Sequence, residues 1–359
     1  MTTSDLQIGQ SYAYAVARIR QAENGLLDRN RIARILDASE MSEILRILGE
    51  TEYSWAVSDV AATDYEAILT RELERVFRYV SQFVPDLTVV DLFRMKYDLH
   101  NCKVAFRALA LGVDGSGLWS PLGTVSAAEI WRAATLEIGL DGFPKHVRDL
   151  LGAGLDHLQL GVSGDTPADD SRLEQLADRP IDPQALDAVL DRAYFSSLDE
   201  AVYQIGSSLL TKLLRLRVDL VNMTAFLRCV RLRRGLAALR SAFIPFGDLP
   251  LELFEKLYNE PVETFVREMS MSMYDSLISE WSAFSKRKDA VAILERLGRR
   301  YFTEMCSASS AAVFFGPEPI ASYLIAKENE INDLRTILVG KANGLDTESI
   351  RERLSGAYA

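Results

Sequence analysis

Apolar residues recur along most of this chain at three- and four-residue steps, the spacing of one face of an α-helix. Residues 31–49 place Ile32, Ile35, Leu36, Ile44, Leu45 and Leu48 on such steps. The break Asp37-Ala38-Ser39 predicts two short helices, with Ser39 capping the second. Residues 65–83 repeat the pattern with Ile68, Leu73, Val76, Phe77 and Val80. No sustained period-two alternation occurs, so strands are not expected. The pattern predicts an all-α fold.

Gly- and Pro-rich stretches at 112–123 and 161–183 interrupt the helical pattern, and a third junction is expected at 235–250 around "FIPFGDLP". Between these breaks lies an internal repeat, the sign of stacked similar units. "FRMKYDLHNCKVAFR" (93–107) matches "LRLRVDLVNMTAFLR" (214–228) without a gap. Arg94, Lys96, Asp98, Asn101 and Arg107 correspond to Arg215, Arg217, Asp219, Asn222 and Arg228. A weaker third copy sets Lys327 at the place of Lys96, Asn329 at Asp98 and Asn332 at Asn101. The three asparagines stand 121 and 110 residues apart, near one third of the 359-residue chain. Three similar helical domains are expected, at 1–115, 116–238 and 239–359.

On a helix, Arg94, Asp98 and Asn101 share one stripe, and Lys96, His100, Lys103 and Arg107 the opposite one. An Arg94–Asp98 ion pair at i,i+4 is worth about 0.2–0.5 kcal/mol. Two readings of the repeat stay open. Each copy is a structural helix packed on both flanks, or the stripes of three copies converge on a polar socket.

Charge and composition narrow the function. Asp and Glu outnumber Lys and Arg by 51 to 40, a net charge of −11, which disfavours nucleic acid unless a local basic patch exists. Cys102, Cys229 and Cys306 form no CxxC, so neither a disulfide framework nor a zinc site is expected, and a reducing cytoplasm fits. The N-terminus lacks a signal-peptide pattern, and no apolar run nears the roughly 18 residues of a membrane span.

Candidate chemistry is sparse. "GVDGSG" (112–117) follows no strand, and Gly340-Lys341 precedes Ala342 rather than Ser or Thr, so neither is a phosphate loop. His100, His146 and His157 have no partner at metal-ligand spacing. Glu328 and Glu330 point about 200° apart on a helix and read as surface residues. Trp55, Trp119, Trp131 and Trp281 read as core or junction anchors. In "GPEPIASYLIAKENEINDLRTILVGKANGL" (316–345), Pro317 and Pro319 suit a helix's first turn and Glu318 its positive end. The helix is expected over about 319–341, with Ile320, Leu324, Ile331, Leu334 and Leu338 as its apolar row. Asn343-Gly344 is expected to cap it, and Asp346 to cap the next helix. No catalytic residue, cofactor or metal site is expected.

These residues resemble a family: the C subunits of archaeal and bacterial V/A-type ATPases and ATP synthases, related to the d subunit of the eukaryotic V-ATPase. The resemblance lies in "YAYAVARIRQAENGLLDRNRIARILDAS", "LGETEYS" (48–54), "FRMKYDLHNCKVAFRA" (93–108) and the 316–345 segment. It implies a funnel of three similar all-α domains and a rotor role without a nucleotide or ion site. The funnel would sit on the cytoplasmic face of the membrane proteolipid ring and receive the D and F subunits of the central stalk. Arg217, Val218 and Val221, and the long acidic 161–183 loop, depart from the family pattern. Two other readings are a helical scaffold without a rotary partner and an all-α hydrolase using dispersed carboxylates.

Overall fold

Every regular element among the described residues is helical. The structure, a computed structural model, describes residues 3–58, 64–159, 182–310, 313 and 315–354. In chain order the α-helices are α1 (Thr3–Glu23), α2 (Arg29–Asp37), α3 (Met41–Gly49), α4 (Ser54–Val57), α5 (Tyr65–Ser81) and α6 (Thr88–Leu111). Then come α7 (Ala127–Ala134), α8 (Lys145–His157), α9 (Pro183–Ile205), α10 (Ser208–Leu232), α11 (Gly235–Ala242) and α12 (Leu251–Leu257). The last are α13 (Val262–Met269), α14 (Asp275–Ser282), α15 (Ala290–Ser310), α16 (Glu318–Ala342) and α17 (Thr347–Arg351). The chain forms two compact units, 1–90 with 262–359, and 91–261.

In the first unit α16 is the hub. It packs on α1, α2, α3, α5, α15 and α17. Its expected apolar row is buried, with Ile320, Leu324, Leu334 and Leu338 fully so. Burial also reaches Ala321, Tyr323, Lys327, Glu330 and Asp333, so no face is given over to solvent. Glu318 and Pro319 form its first turn, and Gly344, at φ 67°, closes its end in the left-handed region. Asn343 itself stays right-handed at φ −93°. Asp346 caps α17 by accepting from Ser349 N at 2.9 Å. A β-carbon on Gly340 would meet Ile350 Cγ1 at 2.6 Å, so glycine is what lets α17 lie against α16.

Two local expectations change. The α2–α3 turn takes three residues because Ala38 and Glu40 are both extended, so Glu40 rather than Ser39 precedes α3. Of the tryptophans, Trp281 is core, but Trp55 is 42% exposed and keeps its indole N–H on a carboxylate beneath it.

In the second unit α9 lies along α8 and also packs on α10 and α11. Asp182 caps α9 by accepting from Gln184 N at 2.9 Å, and Pro183 fits the first turn. Gly206 ends α9 at φ 72°, and Ser207 at once caps α10. The expected junction at 235–250 is half helix, since α11 fills 235–242. Most of the predicted 161–183 loop lies outside the described residues.

Trp281 is 1% exposed, edge-on to Phe265 with centroids 6.0 Å apart, and donates Nε1–H to Ala290 O at 2.7 Å. Trp281→Ala is therefore expected to cost about 3–5 kcal/mol. Trp281→Phe should cost less, about 0.5–1.5 kcal/mol for the lost hydrogen bond. Urea unfolding followed by circular dichroism measures both.

Candidate functional site

α5 turns its apolar row of Ile68, Leu69, Leu73 and Val76 inward, and one charged residue, Glu72, goes with it at 0% exposure. Burying a carboxylate is costly unless charges and hydrogen bonds compensate. Lys327 of α16 does so, with Nζ 2.9 Å from Glu72 Oε1 and 2.7 Å from Glu330 Oε1. The ammonium also lies 4.5 Å from the Tyr53 ring centroid, a cation–π contact. Tyr53 Oη donates to Glu330 Oε1 at 2.7 Å, and Leu27 N donates to Glu330 Oε2. Arg75 holds Glu72 with two bonds of 2.8 Å, and Trp55 Nε1 adds a third at 3.2 Å. One cluster thus joins the α1–α2 turn, the α3–α4 turn, α5 and α16.

Glu330 departs from the expected surface role. Glu328 and Glu330 do diverge around the helix, but α16 is enclosed on nearly every side, so divergence does not bring solvation. Burial alone would push the Glu72 carboxyl up; the Arg75 hydrogen bonds and the Lys327 charge outweigh it and hold it below the ordinary range. Burial would lower the Lys327 ammonium, yet Glu330 and Glu72 raise it. Both shifts move away from neutrality and keep the charges on. A general acid or base needs a shift toward the working pH. The cluster is built to hold elements together.

The repeat residues build two polar clamps in the second unit. Asp98, at 0% exposure, accepts from Thr124 N (3.1 Å), Thr124 Oγ1 (2.8 Å) and Val125 N (3.3 Å), and contacts His146 Nε2 at 3.0 Å. Asn101 bonds both the N–H and the carbonyl of Ser120, each at 2.9 Å. One copy later, Asp219 accepts from Asp248 N (3.1 Å) and Leu249 N (3.0 Å). Asn222 bonds the N–H and carbonyl of Ile244 at 2.9 and 2.8 Å. Each pair pins the loop before the next short helix, α7 or α12. The loops read "SPLGTVS" (120–126) and "IPFGDLP" (244–250), with Pro and Gly in matching places. A β-carbon on Gly123 would strike Asp98 Oδ1, and one on Gly247 would strike Asp219 Oδ1.

The other repeat residues are placed as follows. Arg94 donates to the carbonyls of Leu122 and Gly123 and lies 3.7 Å from Asp91, so it serves the loop rather than the expected pair with Asp98. Arg215 pairs with Asp248 at 3.3 Å. On the opposite stripe, Lys96 Nζ lies 5.0 Å from the Tyr97 ring, and Lys103 and Arg107 pair with Asp191 and Asp187 of α9. Arg217 and Arg228 are exposed. Lys327 belongs to the buried cluster, while Asn332 accepts from Arg335 Nη1 at 3.0 Å and, among the described residues, clamps no loop. Glu72 and Tyr53 are absent from the sequence expectations, and Glu330 is placed there on the surface. The signal for the cluster is a charge set within an apolar row, Glu72 between Leu69 and Leu73 and Lys327 between Leu324 and Ile331.

Among the described residues no group of three His, Cys, Asp or Glu is arranged to hold a metal, and no helix is long and apolar enough to cross a membrane. The family model described as ATP synthase (C/AC39) subunit matches residues 15–353. The chain is similar to the C subunit of the V-type sodium ATPase of Enterococcus hirae, 21% identical over 95% of this chain and 97% of that one. It is similar to the C subunit of the A-type ATP synthase of Methanosarcina barkeri, 26% identical over 96% and 92%. The same protein of Methanocaldococcus jannaschii is 22% identical over 96% and 86%.

Lys327→Met should destabilise the protein by about 3–5 kcal/mol, because two carboxylates lose their buried counter-charge. Adding Glu72→Gln and Glu330→Gln should recover part of the loss. Because the Glu72 carboxyl is held low, its contribution is complete above the unfolded value near about 4.3 and fades as pH falls through the folded value. Acid titration of wild type against Glu72→Gln should show the stability gap closing over that window.

For the clamps, Asp219→Ala and Gly247→Ala should each cost about 1–3 kcal/mol, the first by orphaning loop N–H groups. In the second, the new methyl displaces the carboxylate. Chemical denaturation provides the check, with faster hydrogen exchange at Asp248 and Leu249 as the local readout.

Proposed function

The chain belongs to the ATP synthase (C/AC39) subunit family, and from that premise we propose that it is a non-catalytic central-stalk rotor component of a V/A-type ATPase or ATP synthase. It couples the shaft, made of the D and F subunits, to the cytoplasmic face of the membrane proteolipid ring, for proton or sodium transport. The observation that carries the reading is the match at nearly full length, in both directions, to C subunits of such complexes. Catalysis then belongs to other subunits, and this chain works at the membrane as a peripheral member of the complex.

A torque coupling must be stiff, and close-packed helices have low compressibility. The buried cluster and the clamps supply stiffness where loops meet helices. We also propose three repeats, at 1–115, 116–238 and 239–359, arranged as the funnel that the family resemblance implies, each joined to the next by one of these anchors. A carboxylate on a long helix receives loop N–H groups ahead of a short helix three times: Asp98 before α7, Asp219 before α12 and Glu330 before α2. In the third case the carboxylate stands one residue beyond Asn329, the position aligned with Asp98, and its loop lies near the N-terminus.

Removing the protein from the intact complex tests the role. ATP hydrolysis by the soluble head should persist while ATP-driven ion uptake into vesicles is lost, and adding the purified chain back should restore it. Ion uptake at the wild-type rate in a complex verified to lack the chain would refute the proposal.

A further inference from the structure

The end of α10 differs in kind from its counterpart in α6. The two helices stop at matching positions, Leu111 and Leu232, 121 residues apart like the rest of the repeat. The next residue is left-handed in both copies, Gly112 at φ 62° and Arg233 at φ 53°. Glycine takes that conformation without steric cost, whereas a residue with a β-carbon is strained there. The second copy thus carries an arginine where its sibling shows that glycine serves the fold. Strain of this kind points to a use outside the local structure.

The surroundings say what use. Residues 201–247 hold eight Lys or Arg, of which Arg215 and Arg240 pair with Asp248 and Glu255, and one acidic residue, Asp219, in a chain whose net charge is −11. Asp219 is buried and committed to its loop. Leu232, Arg233 and Arg234 are all exposed, Leu232 to 60%. Arg234 bonds Gln184, and among the described residues the Arg233 side chain has no hydrogen-bond or ion-pair partner. The tip therefore offers cations beside a bare aliphatic side chain. A nucleic acid would use the charge but not the leucine. A bilayer of anionic lipid uses both, since its phosphates attract arginine and its interface takes up leucine. Repulsion from acidic surface farther away is screened beyond about 8 Å at physiological salt.

We infer that the α10–α11 tip, Leu232-Arg233-Arg234, is a contact site for an anionic phospholipid surface. The inference rests on the rotary reading only for placing the chain beside a membrane. The assay does not require the complex, so each can fail alone.

The full-length chain is floated with vesicles of phosphatidylcholine alone or mixed with an equal amount of phosphatidylglycerol. Wild type should float with the anionic vesicles only and detach in ~1 M salt, where the screening length falls to about 3 Å. Arg233→Glu/Arg234→Glu should lower the partition at least about tenfold, with helical content unchanged by circular dichroism. Arg233→Gly should raise the melting temperature by relieving the strain, yet weaken vesicle binding. The inference is overturned if wild type ignores anionic vesicles, if the double charge reversal binds as wild type does, or if Arg233→Gly melts earlier. Unchanged lipid binding with lost assembly onto partner proteins would overturn it too, and would make the tip a protein-docking site.

Discussion

The first unit is organised around an ammonium group that water cannot reach. Lys327 is 1% exposed and lies between two carboxylates that are themselves fully buried. Desolvating three charges costs more than a hydrophobic replacement would, unless geometry and extra hydrogen bonds are nearly complete. Here they are supplied by Arg75, Trp55, Tyr53 and the Leu27 amide. The donors come from three places in the chain, the α1–α2 turn, the α3–α4 turn with the start of α4, and α5, so the charges are satisfied only when those places have been brought together. The Leu27–Glu330 contact spans 303 residues and binds the beginning of the chain to its last long helix. Apolar packing alone would tolerate sliding of α16 along α5; fixed ion pairs do not. This is a reason to retain charge in a core, as a device that sets register.

The second unit solves the same problem with shorter reach. Asp98 and Asp219 are also buried, and each holds two backbone amides of a loop about 26 to 30 residues onward, Asp98 with the Thr124 hydroxyl and His146 in addition. A carboxylate that accepts backbone N–H groups fixes a loop's shape without depending on which side chains the loop carries. That explains how Thr124-Val125 and Asp248-Leu249 are held alike although the residues differ. It also explains the glycines beside them, which leave room for the carboxylate oxygen.

Helices, most of the expected caps and the all-α class were legible in the sequence because each depends on residues a few positions apart; Ser39 is the cap that the structure does not use. The ends of α16 and the caps at Gly344 and Asp346 follow from local rules that tertiary contacts did not override. The match of 93–107 with 214–228 was legible too, but its meaning was not. Asp98 and Asn101 read as a polar stripe on a helix, and their partners lie in and just beyond the Gly- and Pro-rich stretch at 112–123. Glu330 was misplaced for a related reason. Helical geometry gives its direction, while burial depends on six neighbouring helices that periodicity does not disclose. The one local clue, a charge inside an apolar row, was present at Glu72 and Lys327.

The two anchoring devices bear on how a stiff part is built from helices of modest length. Loops are where a helical protein bends, since their backbone groups lack the internal pairing of a helix. Placing the buried acids on the longest helices and aiming them at the loops converts the compliant points into extensions of the rigid ones. A load entering at α7 or α12 then passes through hydrogen bonds into α6 or α10 rather than into loop deformation. In the first unit α2 stands to α16 in the same relation, through the Leu27 amide just ahead of it. A core held together by buried charges needs those charges kept on, and the shifts of Glu72 and Lys327 run in the direction that does so.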